Sequence, residues 1–362
     1  MYADTNDVEK YAIENNIHYL KYDEFFYNIK EMDSGLANKV YRAKCNKTYV
    51  TLKSFSSDNT TVVKEIIREI KLNDKIISEE NILRFYGITL SDSNQCLLVM
   101  EYVEGGTLRN YLHEKFPSMD WQIKCKFAIE ILSAIESMHE KGIVHEDLNS
   151  NNILVDRVSI KISDFGLSRR FKDQSSYDTL PYDAPEGFLN ITNENLYSSG
   201  QIEKLKKCNV YSVGVLLWEL SSGKRPFSDR EYNADLEKEI AKGLRESIVE
   251  GTLKEYSNIY TKSWSGNPEL RPTIQEVSTA IMNYTAHLMI KDFKLDHGLF
   301  MDENSIKFDL QPSVFISIND RNSTSFNEKP SELCIDLPVC EYTFSVDNVD
   351  LPQIMRKECM TN

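Results

Sequence analysis

I-V-H-E-D-L-N-S-N-N-I-L, running from Ile143 to Leu154, decides how the rest of the chain is read. The apolar pair Ile143 and Val144 leads into a polar stretch, and Ile153, Leu154 and Val155 follow it. That pattern predicts a polar loop clamped between buried ends, which holds functional groups rigidly. Within it, His145, Asp147 and Asn152 place an imidazole, a carboxylate and an amide at H-x-D-x-x-x-x-N spacing. Further on comes K-I-S-D-F-G, Lys161 to Gly166, in which Asp164 closes a strand with a second carboxylate.

Together these two stretches resemble the catalytic loop and metal-binding loop of eukaryotic protein kinases, closest to the tyrosine-kinase-like group, including the kinases expanded in some fungi. The resemblance spans about residues 24–285. It implies an α+β, bilobal fold: a small antiparallel-sheet N-lobe with one helix over about 24–101, and a larger, mostly helical C-lobe over about 107–285. It also implies transfer of the ATP γ-phosphoryl group to a protein hydroxyl, with Mg²⁺ or alternatively Mn²⁺.

Under this resemblance Asp147 accepts or orients the proton of the attacking hydroxyl, while Asn152 and Asp164 hold the metal. V-T-L-K, Val50 to Lys53, resembles the strand that carries the phosphate-contacting lysine. Thr60 to Ile77 shows a helical stripe of Val62, Val63, Ile66, Ile67 and Ile70, with Glu69 at its edge. Exposed, Glu69 would have like-charged Glu65 four positions back, a poor surface arrangement. As the helix glutamate of a kinase it would reach Lys53. Y-V-E-G-G-T-L after Cys96 to Glu101 has the form of the link between lobes, with Met100 guarding the pocket and the Gly105-Gly106 pair loosening the connection. Nucleotide contact thus falls by resemblance to Gly35, Val40, Lys53, Met100, Glu101, Val103 and Leu154. His145 is assigned packing beneath Phe165, and His139 packing on the long helix Trp121 to His139.

Several positions depart from the family pattern. In D-S-G-L-A-N-K-V, Asp33 to Val40, only Gly35 remains of the glycine-rich loop. Thr51 replaces an alanine, Asn209 an aspartate, and Glu146 the arginine that in many kinases grips an activation-loop phosphate. Glutamate would repel that phosphate, so phosphorylation of Ser175, Ser176, Tyr177 or Thr179 is not expected to be the main switch, and Arg169 or Arg170 is the expected partner of Glu146. These departures support a rival reading, a pseudokinase acting as scaffold or allosteric partner. Lys53, Glu69, Asp147, Asn152 and Asp164 are all present, which favours activity. T-L-P-Y-D-A-P-E, Thr179 to Glu186, favours serine or threonine as the acceptor, since Thr179 stands where serine/threonine kinases place a threonine against the catalytic loop. Pro181 keeps tyrosine or dual specificity as the alternative. Arg271 is expected to pair with Glu186.

Composition fits a soluble chain. Its 362 residues allow two lobes and an extension. The apolar run Tyr211 to Leu220 is broken by Ser212 and Gly214 and falls short of a membrane helix. The polar, acidic start reads as no signal peptide, and seven cysteines without metal-type spacing suggest reduced thiols, hence the cytoplasm or nucleus. A formal charge of -14 argues against nucleic acid or an anionic membrane as main partner. Oligomeric state is not specified by the sequence. Residues 1–23 read as a polar lead-in without assigned role, Asn190 to Gln201 as a surface insertion, and 286–362 as a flexible tail with isolated prolines. Val314 to Ile318 and Glu341 to Val346 are secondary candidates for docking strands.

Overall fold

Alternation of apolar and polar residues builds the small lobe. The computed structural model describes residues 5–22, 26–34, 39–55, 59–76, 79–165, 177–188, 199–297, 332–337 and 340–345. Five antiparallel strands, β1 (Phe26–Ser34), β2 (Lys39–Cys45), β3 (Thr48–Ser54), β4 (Phe85–Leu90) and β5 (Cys96–Glu101), form one sheet in the order β1-β2-β3-β5-β4. Val50 and Leu52 on β3 are buried with Phe26, Ala43, Leu97 and Val99. Period-two geometry therefore turns Thr51 and Lys53 to the opposite face. On that side α2 (Asn59–Asp74) buries Val62, Val63, Ile66, Ile67 and Ile70, the stripe read from the sequence.

The N-terminal residues, assigned no role from composition, do have one. Thr5–Glu14 forms helix α1, and Val8, Ala12 and Ile17 are buried in the same core as α2.

In the large lobe α3 (Leu108–Lys115) starts from Thr107, whose side chain accepts a bond from the Asn110 N–H at 3.2 Å. Asp120 caps α4 (Trp121–Glu140) through the Ile123 N–H at 2.8 Å. α4 and α5 (Ser199–Ser222) supply the core with Phe127, Ile131, Leu132, Ile135, Val213 and Leu217. The last residues of the expected surface insertion, from Ser199 onward, begin α5; residues 189–198 lie outside the described residues. α6 (Ala234–Ala241), α7 (Lys254–Ser263) and α8 (Ile274–His297) follow, and α8 continues past the boundary expected at 285. Between α4 and α5 the short hairpin β6 (Ile153–Asp156) and β7 (Ser159–Ile162) frames the two functional loops. Among the described residues no helix is long and apolar enough to cross a membrane.

Residues 289–362 form a separate unit. Within the stretch 286–362, expected as a flexible tail, β8 (Glu332–Leu337) and β9 (Cys340–Ser345) pair as an antiparallel hairpin. Glu341 to Ser345 thus takes the strand form considered for it, whereas Val314 to Ile318 lies outside the described residues.

Candidate active site

Residues far apart in sequence meet between the lobes. The Lys53 ammonium on β3 donates to Asp164 Oδ2 at 2.6 Å, with both side chains buried. Such a charge-assisted bond at low solvent access fixes both groups. Asp164 itself has φ 59°, a left-handed backbone that Asn and Asp tolerate better than other side chains. Its second oxygen, Oδ1, is buried and has no hydrogen-bond partner among the described residues.

The catalytic-loop groups hold one another. Asn152 Nδ2 donates to the Asp147 carbonyl at 2.7 Å and to Asp147 Oδ2 at 3.1 Å, while Asn149 Nδ2 donates to Asp147 Oδ1 at 3.1 Å. Asn149, uninformative as a sequence letter, is thus a brace for the Asp147 carboxylate. With the Asn152 nitrogen committed, its carbonyl oxygen is the group left to meet a cation. An orphaned carboxylate oxygen on Asp164 and an amide oxygen on Asn152 are hard donors of the kind Mg²⁺ takes, so the residues present fit that ion.

His145 packs as expected, edge-on to Phe165 with ring centroids 5.5 Å apart. Its Nε2 lies 3.0 Å from the Ser163 carbonyl and its Nδ1 accepts the Asp147 N–H at 3.2 Å. Those partners fix the neutral tautomer with the proton on Nε2. Burial lowers its pKa against the opposing pull of Asp147, the Ser163 carbonyl and Asp164.

Asn209 fastens this loop from α5. Its Oδ1 accepts the His145 N–H at 3.0 Å and its Nδ2 donates to the His145 carbonyl at 2.6 Å. Where the family pattern has an aspartate, this amide adds a donor that a carboxylate lacks. Oδ1 also faces His139 Nε2 at 3.1 Å, and burial pushes His139 down to about 4.

A second set of residues escaped sequence reasoning. Arg109 Nε donates to Glu219 Oε1 at 2.9 Å and to Ser150 Oγ at 3.0 Å, and Tyr182 donates to Glu219 Oε2 at 2.5 Å. The group joins α3, the catalytic loop, the segment at 180–182 and α5. Burial raises the Glu219 carboxyl against the opposing Arg109 charge. Thr179 is buried at the start of the segment 180–182.

Of the other expected residues, Glu69 is fully buried on α2, and Met100 and Val103 are buried along the connection. Val40 is partly buried opposite Lys53 in the β2–β3 register, and Leu154 is partly buried on β6. Glu101 ends β5, its N–H bonded to the Arg84 carbonyl at 2.9 Å and its carboxylate 3.3 Å from Lys161 Nζ. Gly35 and Gly166 lie outside the described residues, as do Ala37, Asn38, Arg169, Arg170, Ser175 and Ser176. Glu146 contacts Arg68 of α2 at 3.9 Å. The Gly105-Gly106 pair, expected to loosen the connection, anchors it instead. A Cβ on Gly105 would stand 2.2 Å from the Val155 carbonyl, and the Gly106 carbonyl, at φ 73°, accepts the Val155 N–H at 2.9 Å.

A family model described as protein tyrosine and serine/threonine kinase matches residues 27–281. Among curated proteins, the chain is 29% identical over 266 residues to a probable LIM domain-containing serine/threonine-protein kinase of Dictyostelium discoideum, covering 71% of this chain and 39% of that one. It is 31% identical over 252 residues to the leaf rust 10 disease-resistance locus receptor-like protein kinase-like 1.4 of Arabidopsis thaliana, covering 68% and 36%. Against the serine/threonine-protein kinase TNNI3K of Homo sapiens it is 29% identical over 256 residues, covering 67% and 29%. The chain spans less than half the length of each of these relatives.

Proposed function

Because the chain belongs to the protein tyrosine and serine/threonine kinase family, we propose that it transfers the γ-phosphoryl group of ATP to serine and threonine hydroxyls of a protein substrate. The supporting observation is the buried 2.6 Å contact of Lys53 with Asp164, whose other oxygen has no partner among the described residues. Asp147 orients the acceptor hydroxyl and takes its proton. Lys53 holds phosphate oxygens, and Glu69 fixes the ammonium of Lys53. Asn152 and Asp164 hold Mg²⁺, with Mn²⁺ as the alternative; the ion supplies neutralisation of charge on the phosphates. Since little covalent chemistry falls to the protein, positioning and charge account for the rate.

The nucleotide site comprises Gly35, Val40, Met100, Glu101, Val103 and Leu154 beside Lys53. Cysteines 45, 96, 125 and 208 are free thiols, which supports placement in the cytoplasm or nucleus. Nucleic acid and membrane insertion have no part in this reading.

The test is transfer from ATP to a generic basic protein with Mg²⁺, compared with Asp147→Asn. Transfer by the wild type at least about a hundredfold above the variant supports the reading. Equal, background-level signals from both would assign the chain to the pseudokinases. Phosphoamino-acid analysis of the product separates serine and threonine from tyrosine.

A further inference from the structure

Helix α1 and the residues after it lie outside the segment matched by the family model, yet they are built into the small lobe at two places. Val8 and Ala12, one helical turn apart, face α2 and are buried, Ala12 completely. Asn15 Oδ1 accepts a bond from Lys71 Nζ on the last turn of α2 at 2.9 Å. The chain then runs parallel to β4: the Ile88 N–H donates to the His18 carbonyl and the Leu20 N–H to the Ile88 carbonyl, each at 2.9 Å. The outer edge of the sheet is thereby occupied.

Gly87 shows that this contact is shaped on both sides. It has φ 147°, and a Cβ there would stand 2.1 Å from the His18 carbonyl oxygen. Only glycine leaves room for the N-terminal backbone at that point. One continuous segment, residues 5–20, therefore grips β4 with one end and the back of α2 with the other.

We propose that this segment sets the position of α2, and through it the distance from Glu69 to Lys53, so that Ala12 and Gly87 are positioning residues for nucleotide binding. The proposal rests on the kinase reading for its consequence in catalysis, though not for its effect on α2. α2 reaches the sheet through apolar side chains that permit sliding; the parallel strand and the Asn15 contact at its last turn restrict it. Loss of the brace leaves α2 correctly placed in only a fraction of molecules, and apparent nucleotide affinity falls by that fraction.

The experiment compares full-length wild type, Ala12→Asp, Gly87→Ala and the control Ile13→Asp, Ile13 being 62% exposed on the same helix. Hydrogen exchange of the α2 amides, Kd for Mg-ATP and KM for ATP are measured well below each melting midpoint. The expected result is a roughly tenfold or greater loss of α2 protection and a similar rise in Kd and KM for Ala12→Asp and Gly87→Ala, with α4 protection and the control unchanged. Should Ala12→Asp not fold, Val8→Ser takes its place. Protection and Kd within about twofold of wild type in folded variants, even with a lowered melting midpoint, would overturn the proposal and reduce α1 to a stabilising appendage. Absence of Asp147-dependent transfer in the wild type would instead overturn the kinase reading alone, because protection of α2 is measured without turnover.

Discussion

Arg68 on α2 reaches Glu146 in the catalytic loop at 3.9 Å, so the position where many kinases keep a phosphate-gripping arginine carries an acid facing α2. At about 4 Å and an effective dielectric near 20, a charge pair is worth roughly 4 kcal/mol before solvent screening. With Arg68 about a third exposed, the net contribution to stability is at most about 1 kcal/mol. The sign matters more than the size, because an acid there repels an incoming phosphate. Phosphatase treatment should leave the transfer rate within about twofold, measured with radiolabelled ATP. A quadruple replacement of Ser175, Ser176, Tyr177 and Thr179 by alanine or phenylalanine that loses activity and regains it with acidic residues would refute this.

Asp164→Asn removes the carboxylate charge from the residue whose Oδ1 has no partner among the described residues. Titration of nucleotide by calorimetry should then show affinity that no longer responds to Mg²⁺ against EDTA, with transfer reduced by about 10²-fold or more. An unchanged Mg²⁺ response would remove Asp164 from the metal site.

Arg271, completely buried, donates Nη1 and Nη2 to Glu186 Oε1 and Oε2 at 2.5 and 2.8 Å. The Glu186 side chain is partly exposed; burial raises its pKa, but the bonds from Arg271 outweigh this and hold it below the usual value. Glu186→Ala leaves a buried guanidinium without its countercharge and should cost about 3–5 kcal/mol, read by urea denaturation. The double replacement Glu186→Leu with Arg271→Met should recover part of the loss.

His139 contributes acid sensitivity. Burial lowers it from 6.5 to about 4, against the opposing bond to Asn209. As pH falls below 6.5 the unfolded chain binds this proton first, so stability is lost between roughly pH 6.5 and 4, by about 3 kcal/mol in total. His139→Gln should flatten that part of the stability profile. Asn209→Asp places a carboxylate at Nε2 and should raise the His139 pKa, followed by NMR titration.

Most of the site could be read in the sequence because its groups sit at fixed spacing within short loops. Asp147, Asn152 and Asp164 are held by backbone turns a few residues long, and the apolar residues beside them announce the strands. The α2 stripe and the five strands were legible for the same reason, since period and burial coincide. What was missed depends on contacts between distant elements. Arg68 and Glu146, or Arg109, Ser150, Tyr182 and Glu219, form no local pattern. Among the side chains of helix α1 whose burial is described, Val8 and Ala12 are the buried ones, too few to give a stripe. Gly87 explains itself only once the His18 carbonyl lies over it.

The strap between the lobes is pinned from Gly105 onward, by close approach to Val155 and the bond that Gly106 accepts from it. Any swing of the sheet against the helical half must therefore be taken up by Tyr102, Val103 and Glu104. That pivot includes Val103, which the family resemblance places in nucleotide contact. An occupied cleft would stiffen the very joint that sets its aperture.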